Sequence, residues 1–221
     1  LDLETGTVLH ELASSEDWTP TQIQYNQKEQ AVYFVGYEKL PRKYGITYCI
    51  NRPTALYKWE IAQTTVARLT TSEQVEVVYY PVLSGNDKLR FFGTYVGGSH
   101  FHAFSYHEID LKTGELKEIL NAESSGIFIT VNPQPTIAED GSLFAVSYHG
   151  TERALFRFKE ESLQVVKAPG EFGTNVSWNL FQVSGKHLLA SVSSRSLRPT
   201  LLLGTIGSGE DISWKMLEQN E

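Results

Sequence analysis

Apolar and polar positions along the chain group into short apolar runs separated by clusters of Gly, Asp, Asn, Ser and Pro, the pattern of β-strands and turns. Four segments share an apolar centre that gives way to a polar or small end: TALYKWEI from Thr54, HAFSYHEI from His102, RALFRFKE from Arg153 and PTLLLGTI from Pro199. Their starts lie 48, 51 and 46 residues apart. Each is followed by a polar turn and a further strand, TVARLT (65–70), ELKEIL (115–120), LQVVKA (163–168) and ISWKML (212–217). Each is preceded by a denser apolar run: AVYFVGY (31–37), LRFFGTYV (89–96), SLFAVSYH (142–149) and HLLASVSS (187–194). Such runs suit a strand in the middle of a sheet covered on both faces. An additional strand stands in front, as in QVEVVYYPV (74–82) and NVSWNLFQV (175–183). No segment reads as an amphipathic helix.

The pattern predicts an all-β chain built as a partial β-propeller of four-stranded antiparallel blades. The physical reason is coverage. One four-stranded sheet cannot bury both its faces, whereas sheets stacked around an axis cover one another. The alternative is a two-sheet β-sandwich, which would require four repeats of one period to arise by coincidence. Turn chemistry agrees with the repeat. Asp140-Gly141 between two strands supplies the positive φ of a tight hairpin. DLETGTV (2–8) matches DLKTGEL (110–116). The second copy joins the third and fourth strands of a blade, so the first is expected to be the same junction of a preceding blade. The expected organisation is therefore a last strand in 1–13, a blade in 14–70 carrying an insertion at 38–53, and blades at 71–121, 122–169 and 170–221. Closed propellers of this kind usually need roughly six to eight blades, with about four the small extreme. This count leads to the expectation of a portion of a larger propeller.

Composition narrows the function. A formal net charge of −7 and a pI near 5.4 argue against nucleic-acid partners, which need a concentrated basic patch. No apolar run reaches the roughly 18 residues that span a bilayer, so no membrane association is expected. The N-terminal LDLETGTVLHE lacks a signal-peptide pattern. Cys49 is the sole cysteine and cannot form an internal disulfide, which favours a reducing, cytoplasmic compartment. The sequon Asn175-Val176-Ser177 points the other way, but such tripeptides arise by chance.

The insertion carries a resemblance. WTPTQIQYNQKEQAVYFVGYEKLPRKYGITYCINRPTALYKWEI resembles the acylamino-acid-releasing enzymes (acylaminoacyl peptidases) of the prolyl oligopeptidase family. The matching residues are Trp18, Pro20, Val35, Gly36, Gly45, Ile46, Tyr48, Cys49, Asn51, Arg52, Thr54, Ala55, Leu56 and Tyr57. Tyr44 departs from the family's Leu and keeps the position apolar. A second match, SWNLFQVSGKHLLASVSSRSLRPTLLLG, is carried by Ser177, Trp178, Ser196, Pro199, Thr200 and Leu201. Residues 71–170 are resembled only as propeller. The resemblance implies an N-terminal propeller followed by a C-terminal α/β-hydrolase domain that holds the serine triad. It further implies release of N-acylated residues from short peptides, with the propeller restricting access. The expected partners are that hydrolase domain and short N-acylated peptides. Open blade faces are expected to drive association into a homo-oligomer.

Local motifs were weighed against this reading. Gly97-Gly98-Ser99-His100 begins like the family's nucleophile elbow, but Phe101 stands where the motif needs Gly, and the position is a link between strands with no helix after it. It is read as a turn. Cys49 with Arg52 could be an activated thiol. The offset of three puts the side chains on opposite faces of a regular strand, though a turn at Asn51 would bring Arg52 round. Cys49 is read as structural. His100 and His102 have zinc-compatible spacing without a third ligand nearby, and His107 and His149 fall elsewhere. The carboxylates Glu16-Asp17, Glu139-Asp140, Glu160-Glu161 and Glu210-Asp211 read as solvated strand ends. No catalytic residue, metal ligand or cofactor is therefore assigned to this chain, and binding residues stay unassigned. Two rivals remain: a protein-interaction propeller scaffold without a hydrolase domain, and a dipeptidyl peptidase or oligopeptidase relative. YCINRPTALY (48–57) argues against the second rival.

Overall fold

A computed structural model describes residues 4–5, 7–8, 10–12, 15–39, 52–85, 87–96, 104–121, 128–129, 135–149, 151–173, 175–209 and 211–217. The described residues form four antiparallel sheets. The first contains β1 (Trp18–Asn26), β2 (Ala31–Glu38), β3 (Thr54–Glu60) and β4 (Thr65–Arg68). The second contains β5 (Val77–Ser84), β6 (Lys88–Thr94), β7 (Ser105–Asp110) and β8 (Leu116–Leu120). In the third, β9 (Phe128–Ile129) and β10 (Thr136–Ile137) pair with opposite ends of β11 (Leu143–His149), which is followed by β12 (Glu152–Lys159) and β13 (Ser162–Val165). The fourth contains β14 (Ser177–Ser184), β15 (His187–Ser193), β16 (Thr200–Ile206) and β17 (Ile212–Met216). Strand order in each sheet is chain order. One 3-10 turn, Gly170–Phe172, is the only helical element among the described residues.

The apolar runs fall where the pattern put them, and the all-β, propeller-type fold class holds. Several strand ends differ: the strand expected over 65–70 spans Thr65–Arg68, that over 163–168 spans Ser162–Val165, and that expected from Asn175 begins at Ser177. The strand expected to begin at Gln74 begins at Val77. The amide of Thr71 donates to the Gln74 side chain, and the amides of Gln74 and Val75 donate to the Thr71 carbonyl, closing a turn that delays the strand. The front strand of the third sheet is split into β9 and β10, a break the pattern did not predict.

Two compact units are present: residues 1–100 with 108–116, and residues 101–107 with 117–221. In the first unit β2 is apolar on both faces. Ala31, Tyr33 and Val35 join Leu56, Val75, Val78, Leu89 and Phe91 in one core. Phe34 joins Ala55, Tyr57 and Trp59 in a second core on the other face, with Leu12, Trp18, Val32 and Ile61 packed against it. This period-two split is what a strand covered on both sides requires. In the second unit Phe144, Val146 and Leu155 pack with Trp178, Leu180, Leu188, Ala190 and Leu202.

Turns are fixed by local hydrogen bonds. Gly141 has φ +79°, and the Asp140 carboxylate accepts from the Ser142 amide at 3.0 Å. Asp110 accepts from the amides of Lys112 and Thr113, and Gly114 takes φ +74°. The hydroxyl of Thr113 accepts from the Glu115 amide at 3.2 Å, and that of Thr5 accepts from the Thr7 amide at 3.3 Å. The two copies of the D-L-x-T-G sequence thus share the same threonine bond.

Candidate functional site

The front strands of three sheets carry a β-bulge at the same register. In β1, Gln22 and Ile23 together face Phe34. In β5, Tyr80 and Pro81 face Phe91. In β14, Phe181 is the extra residue between Leu180 and Gln182. Three ladder pairs separate each bulge from its hairpin turn. A bulge re-aims its side chains and breaks the alternation of faces. Ile23 and Phe181 are exposed, at 62% and 51%, as are Tyr25 on β1 and Gln182 on β14, whereas Tyr80 and Pro81 of the β5 bulge are buried. Gln22 and Tyr80 hold φ of 50° and 54°, a left-handed conformation costly for non-glycine residues. The Gln22 side-chain oxygen accepts from the Tyr80 amide at 2.6 Å and ties one bulge to the next.

Beside these bulges lies a cluster of phenols and one guanidinium, all within the first unit. Tyr37, at the end of β2 away from the hairpin, is buried, as are Tyr79 and Tyr80 on β5. The rings of Tyr79 and Tyr80 lie 6.0 Å apart. Burial raises all three phenol pKa values, so these groups stay protonated at neutral pH. The Arg52 guanidinium carbon sits 5.8 Å from the Tyr37 ring centre, within cation–π range. Its Nε donates to the Glu38 carbonyl at 2.9 Å. The Glu38 carboxylate pairs instead with Arg68 at 3.1 Å. Among the described residues, no carboxylate lies within ion-pair distance of Arg52.

Two residues that carry the resemblance, Arg52 and Thr54, lie beside this cluster. The Thr54 hydroxyl donates to the Val78 carbonyl at 2.8 Å and accepts from the Val78 amide at 2.5 Å, so one hydroxyl satisfies both polar groups of a buried strand residue. The Thr54 amide donates to the Glu76 carbonyl, and the Glu38 amide to the Pro53 carbonyl. On the other face of the first sheet, Trp18, Phe34 and Tyr57 pack at ring separations of 5.0–5.5 Å. Gly36 admits no side chain, because a Cβ there would lie 2.5 Å from the Tyr57 ring.

Cys49, Gly97, Gly98, Ser99, His100, Phe101 and His102 lie outside the described residues, as do Tyr44, Gly45, Ile46, Tyr48 and Asn51. Arg52 is described, and its described partners are Tyr37 and Glu38. His107 on β7 is buried, and burial pushes its pKa down against the opposing pull of Glu118. Its Nε2 lies 2.6 Å from the Ser105 hydroxyl, a pair that the i, i+2 spacing on one strand produces. Ser105 sits within a regular strand, not on the exposed turn that a nucleophilic serine needs. Asp140, read as a solvated strand end, is an exposed residue, and its carboxylate also holds Arg157, which is 1% exposed. Arg157 donates to Asp140 at 2.6 Å and to the Ser142 hydroxyl at 2.9 Å, beneath the Phe144 ring. Burial acts to raise the Asp140 pKa, but the Ser142 amide and Arg157 outweigh it and hold the carboxyl below its usual value. This network fixes the Asp-Gly turn. Among the described residues, no three His, Cys, Asp or Glu side chains gather as metal ligands.

The class defined by these features is a β-propeller portion: four-stranded antiparallel sheets in chain order, with front-strand bulges in a common register. The fold matches the β-propeller domain of the trilobed protease of Pyrococcus furiosus, with TM-score 0.58 and 11% identity over 95% of this chain and 59% of that one. Residues 14–110 match the family described as acylamino-acid-releasing enzyme, N-terminal domain. The acylamino-acid-releasing enzyme of Rattus norvegicus is 25% identical over 242 residues, covering all of this chain and 31% of the rat protein. Acylamino-acid-releasing enzyme 1 of Oryza sativa subsp. japonica is 24% identical over 83% of this chain and 28% of its own length. The chain thus spans about a third of the length of these relatives.

Proposed function

We propose that this chain is the access-controlling propeller portion of a serine peptidase that releases N-acylated residues from short peptides. The observation that carries the reading is the match of the whole chain to under a third of an acylamino-acid-releasing enzyme, which leaves room for a hydrolase domain in the remainder. In this reading the blades are residues 14–70, 71–121, 122–169 and 170–221, with 1–13 closing a preceding blade. Within the first unit the front strands β1 and β5 face the access route, and the bulge of β1 presents Ile23 to it. The site supplies binding and shape, while the nucleophile comes from the hydrolase domain. The buried phenols stay protonated near neutral pH, so they suit recognition and not proton transfer. The lone cysteine supports a cytoplasmic location, and the apolar blade faces support self-association.

The full-length gene product is expected to cleave an N-acetylated tripeptide and to leave an unfolded N-acetylated polypeptide of about 30 residues intact at the same concentration. Access control admits a short extended peptide and excludes a long, bulky coil. Equal cleavage rates for the two substrates would contradict access control.

A further inference from the structure

Arg52 is a cation of the first unit that its neighbours hold in place without an ion pair among the described residues. Its Nε is bound to the Glu38 carbonyl and its face rests on Tyr37, so the guanidinium has a set orientation. The neighbouring carboxylate, Glu38, is taken by Arg68, whose own Nε is bound to the Thr70 carbonyl. The terminal Nη groups of Arg52 therefore have no ion-pair partner among the described residues. Arg52 is half-buried, which screens its charge less than bulk water would. With Nε engaged, the Nη1/Nη2 edge of the planar guanidinium is the one left to match a carboxylate in a bidentate pair. The wall behind it is aromatic: Tyr37, then Tyr79 and Tyr80, the last belonging to a front-strand bulge. That wall connects Arg52 to the strand read as facing the access route.

We propose that Arg52, seated on Tyr37, is a carboxylate-binding site that takes the C-terminal carboxylate of short peptides. This rests on the peptidase reading above. A short N-acylated peptide carries no charge at its acylated end, so its terminal carboxylate is the charge that marks it as short. In a long chain the carboxylate lies many residues from the acylated end and cannot reach both sites at once. An arginine on the propeller would thereby convert peptide length into affinity. Arg52 is a specificity residue in this account and takes no part in bond breaking.

The test uses the full-length gene product and two probes, acetyl-Ala-(N-methyl)Ala-Ala as the free acid and as its C-terminal amide. The N-methylated first peptide bond resists cleavage, so affinities are read at equilibrium. The wild type is expected to bind the acid about tenfold tighter than the amide, the order of one charge-assisted contact. Arg52→Gln is expected to bring the ratio to about one while the amide affinity stays unchanged. Arg52→Lys, which keeps the charge but not the fork, is expected to fall between, and it decides the case if the glutamine variant loses its fold. Equal affinity of the wild type for acid and amide, equal weakening of both probes in Arg52→Lys, or no binding of either probe would overturn the assignment. Cleavage of ordinary acetyl-Ala-Ala-Ala separates the two readings. Cleavage with equal affinities overturns the Arg52 site alone, whereas acid-preferring binding without cleavage overturns the peptidase reading alone.

Discussion

Thr54 shows how much one atom carries. Its hydroxyl is both donor and acceptor to Val78, and both residues are fully or almost fully buried. Removing it leaves an amide and a carbonyl without partners in a dry interface. Thr54→Val keeps the shape and is expected to cost about 2–3 kcal/mol, whereas Thr54→Ser keeps the hydroxyl and is expected to cost well under half of that. Denaturant unfolding of both variants in the full-length product measures the difference, and equal losses would assign the effect to packing. The sequence marks this position only as a strand start after a proline, so its cross-sheet role was not legible there. The same holds for Arg52. Its distance from Tyr37 depends on pairing across residues 38–53, and sequence offset alone left its direction open. Gly36 was legible as part of the family pattern, but its reason, a Tyr57 ring where a Cβ would stand, comes from the packing of adjacent strands.

Elements were readable because burial on two faces imposes a pattern that solvent exposure would not. AVYFVGY, SLFAVSYH and HLLASVSS land on β2, β11 and β15 because a covered strand needs apolar residues at every position. Bulges were not readable. An inserted residue changes register without a residue type to announce it, and here the left-handed positions are Gln22 and Tyr80 in place of glycine. Local strain at both is held by the hydrogen bond between them. Gln22→Ala removes the Gln22 acceptor from the Tyr80 amide and is expected to speed hydrogen exchange at Tyr80 by about tenfold, equivalent to about 1.4 kcal/mol. Gln22→Glu keeps an acceptor and is expected to retain most of the protection. Unchanged exchange in Gln22→Ala would show that the seam is held by packing alone.

At the scale of the molecule, the repeat is the strongest feature of the sequence, and the sheets confirm its four-stranded units. The D-L-x-T-G turns share one threonine hydrogen bond, a similarity that sequence matching alone could not have distinguished from chance. What the chain does within the whole protein is set by where the nucleophile resides. A fluorophosphonate probe, which labels activated serines, applied to this chain and to the same gene product extended past Glu221, measures that directly. The account predicts labelling of the extended product alone, on a serine downstream of Glu221. Labelling of this chain, at Ser99 or Ser105, would contradict the division between an access-controlling propeller and a separate hydrolase domain, and labelling of neither would make the chain a binding scaffold.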